Sequence, residues 1–438
     1  MLPMPTEGWV AGPGGPLRGI VRVPGDKSVS HRAVMLGALA EGVTRVRGFL
    51  EGEDTRATAR VFEQLGVRIE TPSASERIVH GVGLHGLRAS GTVLDCGNAG
   101  TGMRLLAGVL AAQRFDSVLV GDASLSQRPM HRVIEPLTAM GARIDAEAGG
   151  LPPLRIHGGR LLHGIDYAPP VASAQVKSAL LLAGLYAQGE TIVREPHPTR
   201  DYTERMLAAF GWPIAFAPGV ARLSGGHVLR ATDVEVPADF SSAAFLMVAA
   251  SIVPGSDLRI EAVGMNPRRT GLLRVLRAMG ADIEAAEPRE HGGEPVADLR
   301  VRHATLRGIE VSEAVVPDMI DEFPALFVAA ACARGITVIR GAGELRVKES
   351  DRIATMAAGL RMLGIVIQET PDGAVITGGR IGGGIVESHG DHRIAMSFAV
   401  AAQLAGDEVR INDVANVATS FPGFMSAATA AGLALRNA

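Results

Sequence analysis

Along the chain, unbroken apolar stretches alternate with short polar words and β-branched runs, and the alternation repeats. One pattern, an Ala/Leu-rich helix, then a Gly or polar break, then a β-branched strand, starts six times: at Ala33, Arg104, Ala179, Ala243, Ala325 and Ala395. The period is roughly 70 residues, longer than the repeats of common solenoids. Because these helices are hydrophobic on nearly every face, they are expected inside the fold, with sheets and amphipathic helices wrapped outside. A second helix follows most copies and ends in a recurrent phrase: EQLGVRI from Glu63, TAMGARI from Thr138, AAFGWPI from Ala208, RAMGADI from Arg277 and RMLGIVI from Arg361. A Gly after an apolar helix and before a β-branched run marks a helix stop leading into a strand. Each unit therefore reads as helix, strand, helix, strand, with a further strand in the Gly-rich text. The class is α/β, and six units divide most naturally into two lobes of three. The polar segment Glu284 to Pro295 reads as an exposed hairpin tip.

Composition narrows the function. At 438 residues, 47% hydrophobic and 4% aromatic, the chain can bury large aliphatic cores. A net charge of −3 removes the footprint of a nucleic-acid or membrane-surface binder, so any anion site must be local. Cys96 and Cys332 match no zinc or CxxC spacing, which predicts a reducing compartment and no structural metal. Met1 to Gly19 lacks the basic start and apolar core of a secretory signal, and the apolar run Ala243 to Val253 is too short to span a bilayer. A cytoplasmic protein with no nucleic-acid or membrane partner is expected.

The candidate chemistry sits at the starts of the apolar helices. Gly25-Asp26-Lys27-Ser28-Val29-Ser30-His31-Arg32 puts Lys, Ser and Arg within one turn of a helix N-terminus, where charge and amide dipoles can hold a phosphate or carboxylate. A capped, solvated helix start would look the same. The glycines of Asp95 to Arg104 (DCGNAGTGMR) allow close backbone approach to a ligand, although the spacing is neither P-loop nor GxGxxG. Arg128 precedes Pro129 and is expected to project from a loop. Ser173-Ala174-Gln175 opens the third helix with small donors, and Thr199-Arg200-Asp201 and Asp239-Phe240-Ser241-Ser242 open two more, the latter explicable by capping alone. Asp318, Asp321 and Glu322 precede another, where dipole complementation is the plain reading. Arg346 to Arg352 (RVKESDR) reads as an ion-pair-rich helix start, and Asp391-His392-Arg393 opens the last internal helix. Their joint placement in both halves suits a multiply anionic ligand held in a cleft between lobes.

The ordered set GDKSVSHR, DCGNAGTGMR, SQRPM, SAQVKSA, TRDYTERM, DFSSAAF, RVKESDR and DHRIAM resembles the 5-enolpyruvylshikimate-3-phosphate synthase family, from about Gly25 to Phe424. The resemblance implies a two-lobed inside-out α/β barrel of six βαβαββ repeats, three per lobe. The first lobe would span residues 23–239 and the second residues 1–22 plus 240–438, with the active site between them. It implies transfer of the enolpyruvyl group of phosphoenolpyruvate to the 5-hydroxyl of shikimate 3-phosphate, with no cofactor or metal, in a monomer inhibited by glyphosate. Lys27, Ser28, Arg32, Ser173, Ala174, Gln175, Arg200, Asp321 and Lys348 would meet shikimate 3-phosphate. Lys27, Gly100, Arg128, Gln175, Arg352 and Arg393 would meet phosphoenolpyruvate. Asp321 would be the base at the 5-hydroxyl and Glu349 the leading proton donor to C3, with Lys27 sharing in the acid and base work. One position departs from the pattern: Thr419 stands before Ser420-Phe421-Pro422, where many members carry Lys. The sister enolpyruvyl transferase acting on UDP-N-acetylglucosamine is the alternative, but it uses a loop cysteine that neither Cys96 nor Cys332 matches. A non-catalytic anion-binding protein on the same scaffold would be expected to lose Lys27, Asp321 and Glu349, which all remain.

Overall fold

The computed structural model describes residues 8–291 and 293–438. Of the N-terminal segment expected to lack a secretory signal, Met1 to Glu7 lie outside the described residues. Twelve α-helices are present among the described residues, in two alternating kinds. The internal kind comprises α1 (Lys27–Leu39), α3 (Gly100–Leu110), α5 (Ala174–Gly184), α7 (Phe240–Ile252), α9 (Phe323–Cys332) and α11 (His392–Ala401). All 13 residues of α7 are buried, as expected for a helix with no polar face. The outer kind comprises α2 (Glu53–Gln64), α4 (His131–Ala139), α6 (Tyr202–Ala209), α8 (Gly271–Ala278), α10 (Arg352–Met362) and α12 (Phe424–Ala431).

Every outer helix stops at the glycine of the recurrent phrase. Gly66, Gly141, Gly211, Gly280, Gly364 and Gly432 all have φ between +78° and +113°, a left-handed conformation that a side chain would strain. The chain then turns back into an antiparallel hairpin. The sixth copy, Ala431-Gly432-Leu433-Ala434-Leu435, escaped the sequence reading because its strand is not β-branched.

Among the described residues, six small sheets surround the internal helices, five of four strands and one of three. Each four-stranded sheet combines one parallel pair with antiparallel pairs, as where Val234–Glu235 runs parallel to the strand Glu41–Arg47, which pairs antiparallel with Glu76–Val82. In the three-stranded sheet the parallel partner is reduced to an isolated bridge, Glu310 to Val338. This is the α/β class with the repeated unit expected from the hydrophobic pattern. The strand Gly8–Ala11 lies between Val409–Asn412 and Leu435–Asn437, so the two ends of the chain complete one sheet.

Contacts divide the chain into two units: residues 1–24, 238–289 and 295–438, and residues 25–237 with 290–294. Each has its own apolar core, built around α7, α9 and α11 in the first and α1, α3 and α5 in the second. The segment expected to be an exposed hairpin tip is one in large part: Asp282–His291 returns as Glu294–Arg302 and Glu284 to Pro288 are exposed, whereas Glu294 at the turn is buried with its carboxylate 3.9 Å from Arg205.

Candidate functional site

In the unit of residues 25–237, three internal helix starts carry the polar groups. Asp26 caps α1, accepting from the Val29 N–H at 2.9 Å and from the Tyr202 hydroxyl at 3.0 Å. That fixes the first turn, from which Lys27 reaches the buried Asp54 of α2 at 2.5 Å. Arg32, one turn on, is 5% exposed and fully engaged. Its Nε donates to Thr203 Oγ1 at 2.7 Å, Nη2 to Ser178 Oγ at 2.9 Å and Nη1 to the Ser28 carbonyl at 2.9 Å. Burial lowers its pKa to about 10, and the nearby Glu204 charge opposes that fall.

The N-terminal turns of α3 and α5 meet through Gln175, which donates to Thr101 Oγ1 at 2.8 Å and accepts from Arg104 Nη1 at 2.9 Å. Ser173 caps α5 by accepting from the Val176 N–H at 3.4 Å. Arg128 sits half-buried in its loop, where Asn98 Oδ1 and Ser124 Oγ accept from its Nη2 at 2.8 and 3.0 Å. A methyl group placed on Gly100 would lie 3.2 Å from Arg104 Nη1 and 3.3 Å from Arg128 Nη1. Gly100 therefore opens the helix between two guanidinium groups. Arg200 follows Thr199, whose N–H and hydroxyl are both held by Glu195.

In the unit of residues 238–289 and 295–438, one arginine organises the charged words. Arg352 is 1% exposed at the first turn of α10. Its Nε donates to Asp391 Oδ2 at 2.8 Å, its Nη2 lies 2.5 Å from Glu349 Oε2, and its Nη1 lies 3.7 Å from Asp321 Oδ1. Burial acts to lower the Arg352 pKa, but Asp391 and Glu349 outweigh it and raise the pKa, so the guanidinium is cationic throughout. Asp391 also caps α11 by accepting from the Arg393 N–H at 2.9 Å, so the same carboxylate positions both arginines of the pair. Asp321 Oδ2 accepts from the buried Arg269 at 3.0 Å. Next to it, burial raises the pKa of Glu322 against the pull of Arg269, and Ser241 donates to its carboxyl. Lys348 stands apart, with Glu344 at 3.3 Å. The ion-pair reading of Arg346 to Arg352 holds as well, since Arg346 binds Asp351 at 2.7 Å. Thr419, at the departing position, is buried and donates to the Asn416 carbonyl at 2.7 Å.

Sequence reasoning passed over four groups that shape these clusters: Asp54, Arg104, Arg269 and Asp391's hold on Arg352. Arg104 and Asp391 stood inside quoted motifs, and Arg104 sits one turn after Gly100 on the same helix face, which was a usable signal. Asp54 and Arg269 carried none, because their partners are distant in sequence. Burial pushes both cysteine thiols up, Cys332 to about 12, which makes neither a ready proton donor or nucleophile.

A family model for EPSP synthase (3-phosphoshikimate 1-carboxyvinyltransferase) matches residues 12–427. The chain is 71% identical over 430 residues to the 3-phosphoshikimate 1-carboxyvinyltransferase of Xanthomonas campestris pv. campestris (strain B100), covering 98% of each chain. It is 70% identical over 433 residues to that of Xanthomonas oryzae pv. oryzae (strain PXO99A), covering 99% of this chain and 98% of the other. Among solved structures it is similar to EPSP synthase from Acinetobacter baumannii, with 53% identity, a TM-score of 0.90, and coverage of 99% and 100% of the two chains. The fold is also that of the enolpyruvyl transferase NikO from Streptomyces tendae, at 18% identity and a TM-score of 0.82 with 99% of each chain covered.

Proposed function

The chain belongs to the EPSP synthase family and carries its activity, the transfer of the enolpyruvyl group of phosphoenolpyruvate to shikimate 3-phosphate in the shikimate pathway, and from that premise we propose how its side chains divide the reaction. Lys27, Ser28, Arg32, Ser173, Ala174, Gln175, Arg200 and Lys348 hold shikimate 3-phosphate. Gly100, Arg128, Gln175, Arg352 and Arg393 hold phosphoenolpyruvate, with Lys27 reaching both substrates.

C3 of phosphoenolpyruvate takes a proton, the 5-hydroxyl adds to C2 as Asp321 removes its proton, and a tetrahedral intermediate forms. Loss of a proton from C3 and cleavage of the C2–O bond to phosphate then release phosphate and leave the enol ether. Such chemistry needs fixed positive charge beside the anionic groups and an acid and a base within hydrogen-bond reach. The observation that carries this division is the Arg352 node, where one buried guanidinium joins Asp321, Glu349 and Asp391. Asp391 anchors Arg352 through Nε, leaving its Nη edge between the proposed base and the proposed acid. That edge is paired with Glu349 Oε2. A substrate carboxylate arriving at Arg352 competes for the same donors; Glu349, released from the pair, takes up a proton from solvent and passes it to C3.

Among the described residues, no helix is long and apolar enough to cross a membrane. A cytoplasmic monomer inhibited by glyphosate is part of this proposal. The test is phosphate release on mixing purified protein with both substrates. Release should require both, and UDP-N-acetylglucosamine should not replace shikimate 3-phosphate; release with that sugar nucleotide, or with phosphoenolpyruvate alone, would overturn the reading.

A further inference from the structure

Lys177 is the anomaly of α5. It lies on a helix made otherwise of small and apolar residues after its first turn, and it is 3% exposed. Its Nζ sits 2.8 Å from Glu195 Oε2 and 2.8 Å from Glu204 Oε1, two carboxylates that are themselves buried. Buried ion pairs are seldom worth their desolvation as stabilisers, and an apolar side chain of the same length would pack there. What the triad does is connect. Glu195 accepts from the Thr199 N–H at 3.2 Å and from its hydroxyl, one residue before Arg200. Glu204 follows Thr203 on α6, and Lys177 precedes Ser178 on α5. Thr203 donates to Ser178 at 2.7 Å, and these two hydroxyls receive Nε and Nη2 of Arg32. The charged link and the hydroxyl link therefore run side by side between α5 and α6, and the second of them is the seat of Arg32.

We propose that the Lys177–Glu195–Glu204 triad is a positioning element for the shikimate 3-phosphate end of the site, holding α5, the loop of residues 195–201 and α6 in the register that aims Arg32 and Arg200. It rests on the assignment of those two arginines to shikimate 3-phosphate. The triad touches no substrate. It makes the loop rigid before binding, so the ordering cost falls outside the binding step. Its loss is felt in affinity for the phosphorylated ring and not in the chemistry at C3.

The experiment uses the full chain with Thr199→Val, which cuts the hydroxyl tie to Glu195 while leaving all three buried charges in place. Shikimate 3-phosphate binding by calorimetry should weaken about five- to tenfold, with the KM for phosphoenolpyruvate and the kcat within about twofold and the Tm nearly unchanged. Thr199→Ser should restore wild-type binding. Lys177→Met tests the charge itself, and Lys177→Arg should recover part of the affinity. Unchanged affinity in Thr199→Val would overturn the proposal, as would a matched loss in kcat and both KM values with a lowered Tm, the pattern of a merely structural role. Arg200→Ala in parallel separates the premise. If it leaves binding intact, the arginine assignment has failed; if it weakens binding and Thr199→Val does not, only the positioning inference has.

Discussion

Asp391 holds Arg352 from the cap of a neighbouring helix: its Oδ2 accepts from Arg352 Nε at 2.8 Å while its Oδ1 accepts the Arg393 N–H at 2.9 Å. The geometry couples the two arginines assigned to phosphoenolpyruvate, since neither helix start can shift without disturbing the other. Asp391→Ala should therefore lower stability by about 3 kcal/mol, the scale for orphaning a buried charge together with a helix cap. It should also raise the KM for phosphoenolpyruvate far more than that for shikimate 3-phosphate. Denaturant titration and steady-state kinetics read the two effects separately.

Glu349 is bound to Arg352 but contributes no cap, so its removal tests chemistry with little structural cost. Glu349→Gln should leave shikimate 3-phosphate binding nearly intact and reduce turnover by roughly 100-fold or more, the usual scale for a positioned acid. Near-normal turnover would take Glu349 out of the mechanism.

Gly100 faces Arg104 and Arg128, both ends of long side chains that can give way by a few tenths of an ångström. Gly100→Ala should accordingly preserve the fold while pushing both guanidinium groups outward. Glyphosate is longer than phosphoenolpyruvate, so its inhibition constant should rise by much more than the KM for phosphoenolpyruvate, by about tenfold or more. Parallel changes would shift the explanation of any tolerance to Thr419, which replaces a cation that many members carry.

The hydrophobic pattern carried most of the fold because its signals are local. An all-apolar helix can only go inside, and a glycine after the outer helix that follows can stop that helix whatever lies elsewhere, so the six internal helices and five of the six stops were readable. The strand Gly8–Ala11 was not, because its partners lie at the other end of the chain. The same limit governs the site. Helix-start words announced Lys27, Arg32, Arg352 and Arg393, but the partners that orient them, Asp54, Thr203, Ser178 and Asp391, are set by tertiary packing. The roles came from resemblance to a family and not from spacing. Lys177 was the exception left unused, since a lysine inside an apolar helix implies a buried acid.

Asp298 gives a handle on pH that lies outside the proposed site residues. Burial would push its carboxyl up, but the Ala262 N–H with Arg289 and Arg259 outweighs this and holds the pKa at about 2. Ala262 has φ +55° at an irregularity in the strand Asp257–Gly264, and Asp298 receives its N–H at 2.9 Å. A folded pKa below the unfolded value of about 3.9 stabilises the protein above that value, and the gain is lost as pH falls through about 2. Asp298→Asn should cost on the order of 2 kcal/mol at pH 7 and progressively less below pH 4. A pH-independent difference between the two proteins would contradict this.

The central claim, addition followed by elimination through a protonated C3, is most directly tested by running the reaction with both substrates in heavy water and following phosphate together with the isotope content of the product. The account predicts phosphate released in step with enol ether, and deuterium on the methylene carbon, because C3 becomes a methyl group in the intermediate before it gives up a hydrogen. Phosphate and enol ether formed with no deuterium at that carbon would contradict it, since the group would then have been transferred without protonation at C3.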